Sequence, residues 1–254
     1  MTLTGIFFLY LGYGYTHGLK PYVDLFDHKG MYIFWIEGLG ALMGGKNGMF
    51  VIMSLYMCAN FFCYNLIFRE MGYEKTVSYL LSSIIGIILS CFAACGGHHT
   101  GDLLNPFFSV TVLFYIRAIM RSSEKDFLFA SSFAGFSAGL SFLSRPSEAA
   151  LPLGFVVFFF VYWLRKEKKD LSLLWNAFLA IAFFFLPIGV SFLEALIRGF
   201  FKEMLDSMVF QNFSYVSKHW DLSRIIASLE TTFLVLLSLG LLFYHRKKVQ
   251  INLF

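Results

Sequence analysis

Ser172 to Ile197 reads SLLWNAFLAIAFFFLPIGVSFLEALI, and Glu194 is its one charged residue. A helix of about 20 apolar residues, rising ~1.5 Å per residue, crosses the ~30 Å hydrocarbon core of a bilayer. This run is therefore long and apolar enough to span. Runs of the same kind lie at 49–68, 76–95, 103–120, 127–144, 149–164 and 226–244, which makes seven predicted spans. Composition excludes an ordinary soluble domain: of 254 residues 58% are hydrophobic, 20% aromatic and 14% charged, against a usual charged share of about 25%. Mean hydropathy is +0.69, more apolar surface than one aqueous core hides. The predicted fold is all-α, a polytopic membrane bundle with about seven spanning helices and two interfacial helices on its outer face, forming a single membrane domain over 1–254.

The interfacial helices are predicted from two shorter apolar runs, 5–15 and 31–44. They are too short to cross but suited to lie at headgroup depth, with Tyr13, Tyr15, Tyr32 and Trp35 as aromatic anchors. The alternative joins 31–44 to the next run as one tilted span, against the breaker Gly44-Gly45-Lys46-Asn47-Gly48.

Orientation follows from the short loops. Arg69 and Lys75; Arg117, Arg121 and Lys125; Arg165, Lys166, Lys168 and Lys169; and Arg246, Lys247 and Lys248 are 12 of the 20 basic residues and fall on alternate connections. Such loops are cytoplasmic by the positive-inside rule. The external side then receives 1–48, 96–102, 145–148 and the loop 198–225. The net charge of +4 serves this topology, so no nucleic-acid partner is expected. The four cysteines, Cys58, Cys63, Cys91 and Cys95, sit inside apolar runs and form no disulfide framework. No Lys or Arg precedes Lys20, so no cleaved signal peptide is read. A chain with an odd number of spans and an external start is expected to be preceded by a further helix.

Charge inside the spans is confined to Arg117, Glu194 and Glu230, each near an end. A neutral mid-membrane layer argues against a carrier and for chemistry at the outer surface. The densest external cluster holds Lys20, Asp24, Asp27, His28 and Lys29. On a helical turn Asp24 and Asp27 would share one side, forming an acid–base pair beside a phosphate-binding Lys29, with His28 at the substrate. A solvated loop snorkelling between headgroups, its lysines on lipid phosphates, explains the composition equally well. Gly96-Gly97-His98-His99-Thr100-Gly101-Asp102 reads as structural histidines rather than a metal site, since neighbouring histidines diverge on a helix. In Arg145-Pro146-Ser147-Glu148, the charged pair and the Ser147 cap alone account for a helix start. Met208 to Tyr215 interleaves amides and aromatics. It fits a sugar platform using Asn212 and Tyr215, or an amphipathic interfacial helix.

GLKPYVDLFDHKGMYIFWIEGLG (18–40) resembles the first external loop of GT-C membrane glycosyltransferases, the group that includes protein O-mannosyltransferases and lipid A aminoarabinose transferases. That loop reads approximately G-x-x-P-Y-x-D-x-x-D-x-K-G-P. GGHHTGDLLNPFF (96–108), GLSFLSRPSEAALPLG (139–154) and FQNFSYV (210–216) are similar to later family segments in order and spacing. The resemblance implies a transferase that moves a sugar from a polyprenyl-phosphate donor to a glycan, lipid or protein acceptor outside the membrane. It implies no cofactor, and a multi-pass location in the plasma membrane of a bacterium. It places Lys29 on the lipid phosphate, Asp102 at the second acid of the family's T-E-E segment, and Arg145 on phosphate or sugar. Three departures accompany it: Met31 stands where the family has proline, Gly101 where it has the first acid, and the family's catalytic aspartate would precede Met1. An upstream helix bearing the base, and a fold continuing past residue 254, are therefore expected, with the bare chain inactive. The alternative from another class is a transporter or flippase of lipid-linked saccharides.

Overall fold

A computed structural model describes residues 3–90, 101–145, 154 and 172–211. Among these residues the secondary structure is helical, apart from turns and one isolated bridge between Pro21 and Leu25. The helices are α1 (Leu3–Thr16), α2 (Met31–Leu42), α3 (Lys46–Glu70), α4 (Lys75–Ser90), α5 (Asn105–Arg121), α6 (Glu124–Ser144), α7 (Ser172–Arg198) and the short α8 (Phe201–Leu205), followed by a π-helical turn at Asp206–Gln211. The chain divides into two compact units, Met1–Met208 and Val209–Phe254, and helices α1 to α8 all belong to the first.

Local chemistry sets the boundaries. Gly44 and Gly45 adopt φ +101° and +66°, a region open to glycine, and so end α2 and let α3 start afresh. The two runs on either side of this breaker are separate helices. Pro106 sits in the first turn of α5, where its missing N–H costs nothing. Ser123 caps α6 by accepting the Asp126 N–H at 3.2 Å, with Glu124 and Asp126 in the positive first turn.

Among the described residues three segments, Lys46–Glu70, Glu124–Ser144 and Trp175–Arg198, are long and apolar enough to cross a membrane. The other predicted spans stand differently. The described parts of α4 and α5 hold 16 and 17 residues, short of a full crossing, and 149–164 and 226–244 lie outside the described residues. The outer faces of α3 and α7 expose Phe50, Leu55, Phe62, Ile181, Phe185 and Ile197. So large an apolar coat fits a bilayer environment.

Helix α6 is the central element, packed by α5, α7 and the start of α2. A Cβ on Gly135 would strike the Ala180 carbonyl, and one on Gly139 would strike the Phe184 carbonyl and Pro187. This G-x-x-x-G pair therefore lets α6 and α7 meet backbone to backbone, the close approach that replaces hydrophobic driving force in lipid. Neutral polar pairs also join helices within the apolar interior. The Ser109 hydroxyl donates to Asn60 Oδ1 at 2.8 Å, and the Thr111 and Ser137 hydroxyls lie 3.1 Å apart.

These contacts fix which ends lie together. Asn60 meets Ser109 and Glu70 meets Arg117, so α3 and α5 run parallel. Gly135 meets Ala180 and Gly139 meets Phe184, so α6 and α7 also run parallel. One end of the bundle gathers Glu70, Arg117 and Arg121. The other gathers the start of α5, the ends of α6 and α7, and the loop between α1 and α2.

Candidate functional site

Residues 17–30 connect α1 to α2 without forming a helix, so the common face expected for Asp24 and Asp27 on a helical turn does not arise. The cause is the turn at Pro21-Tyr22. Tyr22 holds φ +66°, uncommon for a bulky side chain, and its N–H donates to the Leu25 carbonyl at 2.8 Å. The side chain is buried at the edge of Phe34 and beside Phe200. Its hydroxyl donates to the Lys29 carbonyl at 2.8 Å. Burial, then the negative charges of Asp27 and Glu194, push the Tyr22 phenol well above its ordinary value, so it stays a donor. A strained residue pinned from this many sides marks a loop held in one shape.

That shape separates the two aspartates. Asp24 is exposed and accepts the Lys20 N–H at 2.8 Å. Asp27 is 4% exposed and takes Lys29 Nζ on both carboxylate oxygens, at 3.2 and 3.1 Å, along with the Lys29 backbone N–H at 3.2 Å. Lys29 Nζ also lies 4.6 Å from the centre of the Phe8 ring on α1, a cation–π contact. Asp27 therefore holds Lys29, which remains about one-fifth exposed at 21%. The ring of His28 meets that of exposed Phe26 at 6.1 Å.

The other candidate segments reach the same place. Gly30 N–H donates to the Ser144 carbonyl at 3.4 Å, and a Cβ on Gly30 would strike the Leu143 carbonyl. The residue after Lys29 thus lies on the end of α6, whose cap is Arg145. From the first turn of α2, the Tyr32 hydroxyl donates to the Leu103 carbonyl at 2.8 Å, next in sequence to Asp102. The start of α2 is the meeting point of the Lys29, Asp102 and Arg145 segments. Asn212 and Tyr215 lie outside the described residues, as do His98, His99, Ser147 and Glu148. Among the described residues, no three His, Cys, Asp or Glu side chains group to hold a metal ion.

A second polar centre was not foreseen from the sequence. Glu194, near the end of α7, accepts from Tyr15 Oη at 2.8 Å, Trp35 Nε1 at 2.7 Å and Arg198 at 3.0 Å. Arg198 also donates to the Leu19 carbonyl at 2.9 Å, and its guanidinium lies 4.8 Å from the Tyr15 ring centre. Burial, then the bond to Glu194, push the Tyr15 phenol up to about 12. Glu37 on α2 is fully buried, opposite Gly12 of α1, where a Cβ would collide with it. Sequence offered a faint signal for both acids, a lone charge in an apolar helix.

No protein-family model matches the chain, and no curated protein and no solved structure matches it.

Proposed function

We propose that this chain works at the outer face of a membrane as a GT-C-type glycosyltransferase, moving a sugar from a polyprenyl-phosphate donor to an acceptor hydroxyl or similar group. The observation that carries this reading is the meeting of three resembling segments at the start of α2: Gly30 on Ser144 and Tyr32 on Leu103. On this reading the basic end bearing Arg117 and Arg121 is cytoplasmic, α1 and α2 lie in the outer interface, and the site meets the headgroup layer. The bond from the anomeric carbon to the phosphate oxygen breaks, the acceptor oxygen bonds to that carbon, and a carboxylate takes the acceptor proton. A phosphate leaving group needs cations, and Lys29, steered by Asp27 and Phe8, supplies one, with Arg145 close in sequence to the Gly30 contact. Asp27 gives both oxygens to Lys29, so it positions the cation, and the acceptor's proton falls to a different carboxylate.

Donor binding tests the reading without requiring the base. Chain in nanodiscs should retain radiolabelled polyprenyl phosphate, and Lys29→Ala should weaken retention ten- to hundredfold, the worth of a charge-assisted contact of ~1.5–3 kcal/mol. Lys20→Ala should change it little. Equal losses would return the loop to a headgroup-snorkelling role. Passage of a lipid-linked sugar across the bilayer without cleavage would favour a flippase.

A further inference from the structure

We infer that Glu194 and Arg198 are positioning residues that hang the 17–30 loop, and with it the Lys29–Asp27 pair, from the end of α7. The anchoring of the loop stands on geometry alone; its consequence for the donor rests on the reading of Lys29 above.

The loop has no helix or sheet of its own to place it, so its shape comes from where its backbone groups are bound. Arg198 reaches it directly, with one nitrogen on Glu194 and another on the Leu19 carbonyl. The forked, planar guanidinium serves both acceptors at once, which a point-like ammonium does less well. Glu194 in turn gathers Tyr15 from the last turn of α1 and Trp35 from α2, the two helices that the loop joins. Three elements and the loop's first residues therefore share one carboxylate–guanidinium pair. Gly199, at φ +71°, then turns the chain so that Phe200 returns beneath Tyr22, with ring centres 6.2 Å apart. Tyr22 passes the restraint on, since its hydroxyl holds the Lys29 carbonyl. Two branches of named contacts therefore leave the end of α7, one through Arg198 to Leu19 and one through Phe200 and Tyr22 to Lys29. Neither Glu194 nor Arg198 is assigned contact with a substrate.

The test is amide hydrogen exchange of the chain in nanodiscs, read beside retention of polyprenyl phosphate. Arg198→Gln should speed exchange across residues 19–30 about ten- to hundredfold, as expected when a charge-assisted restraint on a locally opening segment is lost. Exchange in α6 should be unchanged. Arg198→Lys should fall between Arg198→Gln and the parent, and Tyr15→Phe, which removes one donor to Glu194, should be mildest. Polyprenyl-phosphate retention should weaken in the same order, a graded link that a general loss of folding would not produce. Unchanged loop exchange in Arg198→Gln overturns the inference, whatever retention does. Loop exchange that rises in this order with retention unaltered upholds the anchor and overturns the reading of Lys29 instead. Should Arg198→Gln fail to fold, Tyr15→Phe and Trp35→Phe carry the same comparison.

Discussion

The two ends of the bundle both place a carboxylate among several donors, yet to different effect. At one end Glu70 on α3 accepts from Arg117 and Arg121 on α5. Packing of α3 on α5 through Cys63, Ile67 and Leu113 already sets those helices side by side, so the ion pairs brace a geometry that exists without them. At the other end Glu194 accepts one guanidinium and two neutral donors from different elements, and the segment it fixes is a loop without regular structure. A bracket between packed helices is replaceable, whereas an irregular loop takes its order from a few side-chain and backbone anchors, so the loss of one is felt along the segment.

The largest expected break in this contrast comes from glycines. Gly30→Ala drives a Cβ onto the Leu143 carbonyl and should lift the loop off α6, at a cost of about 3 kcal/mol or more because the clash is with backbone, together with most retention of polyprenyl phosphate. Gly72→Ala, near Glu70, meets open space but keeps a φ of +91°, so about 1 kcal/mol of strain and no change in retention are expected. Denaturant titration of both variants checks this. Comparable losses would mean that the loop is no more demanding than a surface turn.

Next in size is the pair of aspartates. Asp27→Asn weakens two contacts to Lys29 and should cost ~1.5–3 kcal/mol with weaker lipid-phosphate retention, while Asp24→Asn, on an exposed turn, should stay within ~1 kcal/mol. A larger effect at Asp24 would place the working carboxylate there.

Smaller still is Arg121→Gln. Arg121 is 57% exposed and Glu70 keeps Arg117, so the change should lie below ~1 kcal/mol and leave exchange in residues 19–30 unaltered. A loop response would show that the two ends are coupled.

The mildest pair leaves stability alone and sharpens which end faces which compartment. With native cysteines replaced, Val23→Cys should react with an impermeant thiol reagent in intact cells and Lys125→Cys should not. Val23 is exposed and Lys125 lies in the first turn of α6, at the basic end. The reverse pattern would invert the proposed orientation.

What the sequence determined by itself was what length and hydropathy determine. It marked the apolar runs that became α3, α6 and α7, the shorter runs that became α1 and α2, and the Gly44–Gly45 break between two of them. Arg117 and Arg121, which the sequence grouped in one basic connection, do gather at one end of the bundle, on Glu70. These are local properties, set within about twenty residues. The tertiary structure alone decided the rest. Three-residue spacing suggested a shared helical face for Asp24 and Asp27; the left-handed Tyr22, held by Phe34, Phe200 and the Lys29 carbonyl, sent one outward and buried the other. Gly135 and Gly139 read as two more small residues in an apolar run until Ala180 and Phe184 lay against them. Glu194 read as a stray charge near a helix end because its donors Tyr15 and Trp35 stand 179 and 159 residues away. A hydrogen bond needs its partners within about 3 Å in space, and separation along the chain says nothing of that until the helices have packed.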